Sequence, residues 1–305
     1  MKNYSAFEDV MLDNYANLHS HTTHSDGIYT PTELVRVAKA EGYRAVAITD
    51  HDTATAYPEL VSACRAEGLE CIFGVEFSVV EPKDYHIVAF NFDPEYPPMA
   101  EYLKQMSKTQ AHRTKCCFDE AVSLGKISGV SWDDVLEFNK DVSWISNNHV
   151  FRLLLLRGLV EQKNYMSWFV ENFLNQRAKY PPIFKFLPLA DLVKLIKDAG
   201  GIALVAHPHG KLGDIDFLIE NGIVGLEINH SMLTPEERRL AYKLAMEKNL
   251  FIAGGSDHEG LCGGLYDSYP TKEALMASPH YVEPMSTGTP KRFYEEIKNS
   301  KLNRG

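Results

Sequence analysis

Cysteine is scarce in this chain and unpatterned. The five present are Cys64, Cys71, Cys116, Cys117 and Cys262. The count is odd and no CxxC occurs, so neither a disulfide framework nor a cysteine zinc knuckle is expected, and a reducing cytoplasm is the expected compartment. Long hydrophobic runs are missing as well. No window approaches the ~20 apolar residues of a membrane helix, and residues 1–17, MKNYSAFEDVMLDNYAN, hold no apolar stretch of signal-peptide length. No membrane is therefore expected as a partner. Positive charge is also short: 31 Lys and Arg stand against 41 Asp and Glu, a formal net charge of −10. That removes the broad basic field needed for non-specific duplex binding, so long nucleic acid is not an expected partner. A small phosphorylated substrate is not excluded, because bound metal ions can supply local positive charge. Neither a fixed-period repeat nor a low-complexity tract occurs.

What the chain does have is strand followed by helix. A short strand at 16–18 stops at polar His19. Thr30-Pro31-Thr32-Glu33 reads as a capping box with proline at the first helical position. The helix behind it carries Leu34, Val35, Val37 and Ala38 on one face and stops near Gly42. Strands are predicted at 44–49, 71–75 and 86–90, with a helix at 55–67. The alternation returns later, with helices at 189–199, 215–220 and 235–248 and strands at 202–206, 224–228 and 251–254. Near-continuous apolar strands between helices predict a parallel sheet buried on both faces, closed into a barrel or a barrel-like sheet. Residues 99–182 differ: the pattern is helical, without a buried strand. They are read as a helical insertion, the alternative being a barrel helix with long loops. The expected organisation is a discontinuous domain over 15–98 and 183–300, interrupted by the helical segment 99–182.

The chemistry sits where the predicted strands end. The first ends in His19-Ser20-His21, followed by His24-Ser25-Asp26-Gly27. The second ends in Asp50-His51-Asp52 and the third in Gly74-Val75-Glu76. His86 opens the next. A later strand ends in Ala206-His207-Pro208-His209, and the last in Gly255-Ser256-Asp257-His258-Glu259. Strand ends are where an α/β barrel builds its active site. Residues i and i+2 of a strand share a face, so His19 and His21 can hold one cation. Each cluster alone is weak, since an HxH or a DHD also occurs as core-satisfied histidines or a helix cap. Five clusters at successive strand ends together point to a multi-metal centre. Imidazole with carboxylate suits Mn, Fe or Zn, and a carboxylate such as Glu76 can bridge two ions.

The runs NLHSHTTHSDG, AITDHD, GVEFS, YHIVAF, GGIALVAHP and GGSDH together resemble the PHP (polymerase and histidinol phosphatase) family, most closely its nucleotide-processing phosphoesterases with a helical insertion. The resemblance spans roughly 15–260. It implies an α/β fold, a distorted (β/α)₇ barrel with an inserted helical lid, and two or three divalent ions. Carried over residue by residue, it implies a first ion on His19, His21, Glu76 and Asp257. The second would share Glu76 with His86 and His207, and the third would use Asp26, His51 and His258. The last motif departs from the family's Asp-x-His: His258 directly follows Asp257, and Glu259 stands two along.

The expected reaction is hydrolysis of a phosphate ester by metal-bound hydroxide attacking phosphorus. Glu76 would serve as the bridge, and His258 or a metal-bound water as proton donor to the leaving oxygen. For substrate phosphate the candidates are His149 and Arg152, three apart on one helix face, and His209 and Lys211 after the His207-Pro208 turn. Glu227 and His230 are left open between substrate contact and structure, and Trp144 is expected in the helical segment's core. The substrate class is small nucleotides, either a nucleoside 3′,5′-bisphosphate or a cyclic phosphodiester. A histidinol-phosphate-type phosphatase and a short-oligonucleotide exonuclease are alternatives. A non-catalytic metal-binding module and an amide-hydrolysing metalloenzyme are the readings outside this class.

Overall fold

The computed structural model describes residues 13–257 and 287–300, together with Phe7. The first strand-helix units follow the sequence pattern. β1 (Ala16–Asn17), β2 (Ala45–Val46) and β3 (Glu70–Cys71) form a parallel three-stranded sheet in that order. They are joined by α1 (Pro31–Ala40) and α2 (Tyr57–Glu67). The predicted capping box is present: Thr30 accepts from the Glu33 N–H while Glu33 accepts from the Thr30 N–H, an arrangement worth about 1 kcal/mol. Leu34, Val35 and Ala38 are the inward face, as their i, i+1, i+4 spacing requires.

The second sheet has the order β4 (Gly74–Val79), β5 (Tyr85–Phe90), β6 (Ile202–Val205), β7 (Gly225–His230) and β8 (Phe251–Gly255). It corrects the all-parallel expectation, because β5 runs antiparallel to both β4 and β6. The reason is the connection 80–84, long enough for a hairpin but far shorter than the dozen or more residues a parallel crossover needs. β6, β7 and β8 are parallel, with α8 (Ile215–Glu220) and α9 (Pro235–Glu247) in the crossovers and α7 (Leu189–Asp198) leading into β6. Among the described residues no continuous ladder closes the strands into a ring. Isolated pairs of backbone bonds join the sheet edges instead: Leu18 N to Gly254 O (3.2 Å) and Asp257 N to His19 O (2.9 Å) on one side, Glu76 N to Thr49 O (3.1 Å) and Asp52 N to Glu76 O (2.9 Å) on the other.

The alternation of side chains sorts two faces. On β4 and β5, Val75, Phe77, Ile87 and Ala89 pack outward against helical residues such as Met99, Leu192 and Ile196. Val88 and Phe90 point the other way, into a cluster with Leu18, Ala47, Leu204 and Ala253 that is completed by Tyr294 and Ile297 of α10 (Lys291–Lys298). Glu76 and His86 share that inner parity. Between β5 and α7 the chain is helical: α3 (Pro97–Ser123), α4 (Trp132–Phe138), α5 (Asn147–Leu156) and α6 (Tyr165–Phe169). These helices bury their own cluster, including Phe118, Val135, Phe151 and Trp168, against which Ile28 packs from the first strand-helix unit.

Candidate metal centre

Glu76 is the hub. Its side chain is almost wholly buried, and its two oxygens face different histidines. Oε2 lies 3.2 Å from His19 Nε2, His21 Nε2 and His51 Nδ1. Oε1 lies 2.9 Å from His86 Nδ1 and from His207 Nε2. Asp257 closes one flank, with Oδ1 at 3.0 Å from His21 Nε2 and 3.3 Å from His19 Nε2. Asp26 closes the other, 3.5 Å from both His21 Nδ1 and His51 Nε2. The floor of the site, His19, His21 and Glu76, is sealed from solvent, whereas the His86 side chain is 40% exposed, so the site is open on the His86 side.

Backbone geometry at the strand ends serves this convergence. Asp52, His207 and Asp257 adopt positive φ (50°, 26° and 52°), a left-handed conformation that is costly for these residues and concentrated at functional sites. Gly255 lets β8 press against β1: a Cβ there would lie 2.3 Å from His19 N. Asp50 offers nothing to a cation, because its carboxylate accepts from Thr22 N–H (2.7 Å), Thr22 hydroxyl (2.6 Å) and Ser25 hydroxyl (2.5 Å). It shapes the loop that presents Asp26. Asp52 likewise accepts from the Ser78 N–H and hydroxyl, and burial pushes its carboxyl up to about 6.

Several observations bear on whether cations fit. His51 Nδ1, Glu76 Oε2 and His230 Nε2 are buried polar atoms without a hydrogen-bond partner, although the first two lie only 3.2 Å apart. Such atoms are rare unless a ligand satisfies them. Donor atoms of His19, His21, Glu76 and Asp257 all lie within 4.8 Å of one another, as do those of His21, Asp26 and His51, and of His51, Glu76 and His86. Charge points the same way. Burial drives the His19 and His21 imidazoles down, but the surrounding carboxylates outweigh it and hold both well above the usual 6.5. Burial raises Glu76 and Asp257, yet the adjacent histidines pull both well below the ordinary carboxylate range. Imidazoles and carboxylates are thus gathered against one another in a single buried pocket, a donor set suited to Mn, Fe or Zn.

Two residues that sequence reasoning left open or placed elsewhere belong here. Glu227 on β7 is fully buried and joins His19 to His207; a carboxylate inside an apolar strand has to be paired, and that was the available signal. Trp144, expected in the helical core, stacks on His51 instead (centroids 5.8 Å, 25° between planes). The substrate candidates also differ from expectation. His149 is buried, with Nδ1 accepting from Ser146 N–H (3.0 Å) and Nε2 donating to Thr23 O (3.0 Å). Nδ1 thus caps the first turn of α5 and Nε2 docks that helix on the Thr23 loop, so both ring nitrogens are already bonded within the protein. His209 is bonded to Glu237 (2.9 Å) and Lys211 to the Asp84 carbonyl (2.6 Å). Arg152 is half-buried on α5, its guanidinium 5.9 Å from the Phe138 ring centroid. His258 and Glu259 lie outside the described residues.

A family model described as the PHP domain matches residues 17–173, just over half of the chain. The chain belongs to the PHP family. A 3′,5′-nucleoside bisphosphate phosphatase of Chromobacterium violaceum is 31% identical over 250 residues, covering 79% of this chain and 86% of that one. A 5′-3′ exoribonuclease of Haemophilus influenzae is 29% identical over 256 residues, covering 81% and 90%. A crystal structure from Bifidobacterium adolescentis, named as a metal-dependent phosphoesterase, superposes with a TM-score of 0.73 at 26% identity over 94% of this chain and 96% of that one. This PHP protein is a metal-dependent hydrolase of phosphoester bonds, and the His/Glu/Asp cluster around Glu76 is where a cation can be held.

Proposed function

We propose that this PHP protein hydrolyses small nucleotide phosphate esters, with a nucleoside 3′,5′-bisphosphate or a cyclic phosphodiester as substrate. The observation that carries the reading is the split of Glu76: one oxygen faces His19, His21 and His51, and the other faces His86 and His207. A carboxylate so divided suits a pair of cations. Two or three divalent ions (Mn, Fe or Zn) bound there would offset the phosphate charge and lower the pKa of a water toward ~7. His19, His21, Glu76 and Asp257 would hold one ion, Glu76, His86 and His207 a second, and Asp26 and His51 a third, with His258 as its remaining ligand.

The chain's own groups supply the rest. Glu76 would offset repulsion between neighbouring cations. The sealed floor keeps bulk water from the buried faces of the ligands, while the open His86 side admits the ester. Arg152 is assigned to substrate phosphate, because a guanidinium fork matches phosphate oxygens. His258 is assigned to deliver a proton to the leaving oxygen. The two sheets are read as a distorted (β/α)₇ barrel and 99–182 as its lid, with Trp144 reaching from the lid onto His51. Free thiols at the four described cysteines accord with a cytoplasmic setting.

The bisphosphate assignment draws on the phosphatase relative and on the acidic net charge, which disfavours long polyanions. The exoribonuclease relative favours a second reading, 5′-3′ trimming of short oligoribonucleotides. An assay of metal-loaded protein on 3′,5′-bisphosphates, cyclic nucleotides, 5′-phosphorylated oligoribonucleotides and histidinol phosphate separates them. The proposal expects a bisphosphate or cyclic ester to exceed the others by at least tenfold in kcat/KM. Preference for oligoribonucleotides would replace it with the second reading.

A further inference from the structure

Glu227 is a carboxylate with no exposure at all, third in strand β7, whose other residues are Gly225, Leu226, Ile228, Asn229 and His230. The β7–β8 register shifts between Glu227 and Asn229. Such an irregularity re-aims a side chain, and Glu227 shares the inner face with Glu76 and His86 rather than the outer face of Leu226 and Ile228. Its carboxylate reaches two other strand ends. Oε1 accepts from His19 Nδ1 (2.9 Å), and Oε2 accepts from the backbone N–H of His207 (2.8 Å). His207 is the residue with φ of +26°, so the second bond fastens a backbone turn that its own torsional preference opposes.

We infer that Glu227 is a positioning residue that sets the tautomer of His19 and the backbone of His207, so that both imidazoles present Nε2 to the cations. This rests on the metal-centre reading above. A hydrogen bond to a carboxylate fixes the proton of a neutral imidazole on the bonded nitrogen. With that proton on Nδ1, the lone pair of His19 is on Nε2, the atom beside Glu76 and Asp257. Glu227 does not itself serve as a ligand in this arrangement, although its oxygen lies near donor atoms of His19 and His230. Ligation through Oε1 would require His19 Nδ1 to give up its bond. Partners of this kind, one step behind a metal-bound histidine, typically change affinity 10–100-fold when removed.

The test is Co²⁺ titration of Glu227→Gln and wild type, followed by visible absorption, with kcat and KM measured on a generic aryl phosphodiester at saturating metal. A glutamine amide can accept only one of the two bonds and opposes the other donor with its NH₂. The expected result is a 10–100-fold weaker Co²⁺ affinity, an altered ligand-field spectrum, and a fall in kcat with KM within threefold. Wild-type affinity and spectrum in Glu227→Gln would overturn the role of Glu227 while leaving the metal centre standing. Absence of saturable Co²⁺ binding in wild type would instead remove the centre, and this inference with it. Should Glu227→Gln not fold, ¹⁵N NMR of the wild-type Zn²⁺ form decides: protonation of His19 at Nδ1 is expected, and protonation at Nε2 overturns the inference.

Discussion

Glu76 and Gly255 illustrate how much depends on single positions. Replacing Glu76 with Gln removes the charge that faces five imidazoles. Turnover should fall at least 10³-fold, on the scale of losing a principal electrostatic contributor. The far-ultraviolet spectrum should remain that of wild type, because the core clusters do not include Glu76. Activity within tenfold of wild type would remove the bridging role. At Gly255 the effect is steric. An alanine Cβ would meet His19 N at 2.3 Å and His19 Cβ at 2.5 Å, and backbone cannot move aside as a flexible side-chain tip can. Gly255→Ala should cost about 1–3 kcal/mol, the usual cost of overpacking, and should weaken metal binding by displacing His19. Urea unfolding with parallel metal titration checks both, and an unchanged midpoint would contradict the close approach. The ligand types were legible in the sequence, since histidines and carboxylates at strand ends have few other uses in such numbers. The role of Gly255 was not, because the crowding comes from a strand more than two hundred residues away.

At the scale of elements, α5 is the piece whose placement departs most from expectation. Its first turn is fixed to the loop carrying Asp26: Asn148 donates to the Asp26 carbonyl (2.7 Å) and His149 to the Thr23 carbonyl (3.0 Å). The helix was readable from its apolar spacing, but its docking partner was not. Burial pushes the His149 imidazole down to about 4, with the Thr23 carbonyl and Asp26 raising it and Arg152 and His24 lowering it. The folded pKa therefore lies below the unfolded value of ~6.5. Above pH ~6.5 both states are neutral and this group adds no pH dependence. As the pH falls from ~6.5 toward ~4, the unfolded chain takes up a proton that the folded one refuses, and stability is lost. Between pH 7 and pH 5 the loss attributable to His149 is about 2 kcal/mol. Comparing urea midpoints of metal-free wild type and His149→Gln at the two pH values should show a slope shallower by about that amount in the variant. Equal slopes would mean that the ring is not held neutral. Docking also links α5 to the metal site: Asn148→Ala should loosen the Asp26 loop and weaken one class of metal site more than the others, which a stepwise Mn²⁺ titration would resolve.

For the molecule as a whole, the candidate centre draws its ligands from the strand ends of both sheets, so bound metal and folding are linked. Cations that bind only the folded state stabilise it by about 2.7 kcal/mol at a hundredfold excess over Kd. Adding Mn²⁺ should therefore raise Tm, and a chelator should reverse the gain. Acidification should erase it too, because imidazoles must shed their protons to ligate. A Tm indifferent to metal and chelator at neutral pH would count against the centre. The sequence by itself determined the strand-helix alternation, the helical character of the intervening segment and the set of candidate histidines and carboxylates, because periodicity and residue chemistry are local properties. Only the tertiary structure decided that β5 runs antiparallel, that the strands lie in two sheets joined by a few isolated backbone bonds, that His149 docks a helix on the Thr23 loop, and that Glu227 stands behind His19. Those outcomes depend on which atoms meet across long separations, and such meetings are fixed by packing and by the need to pair every buried charge, not by the neighbours of a residue along the chain.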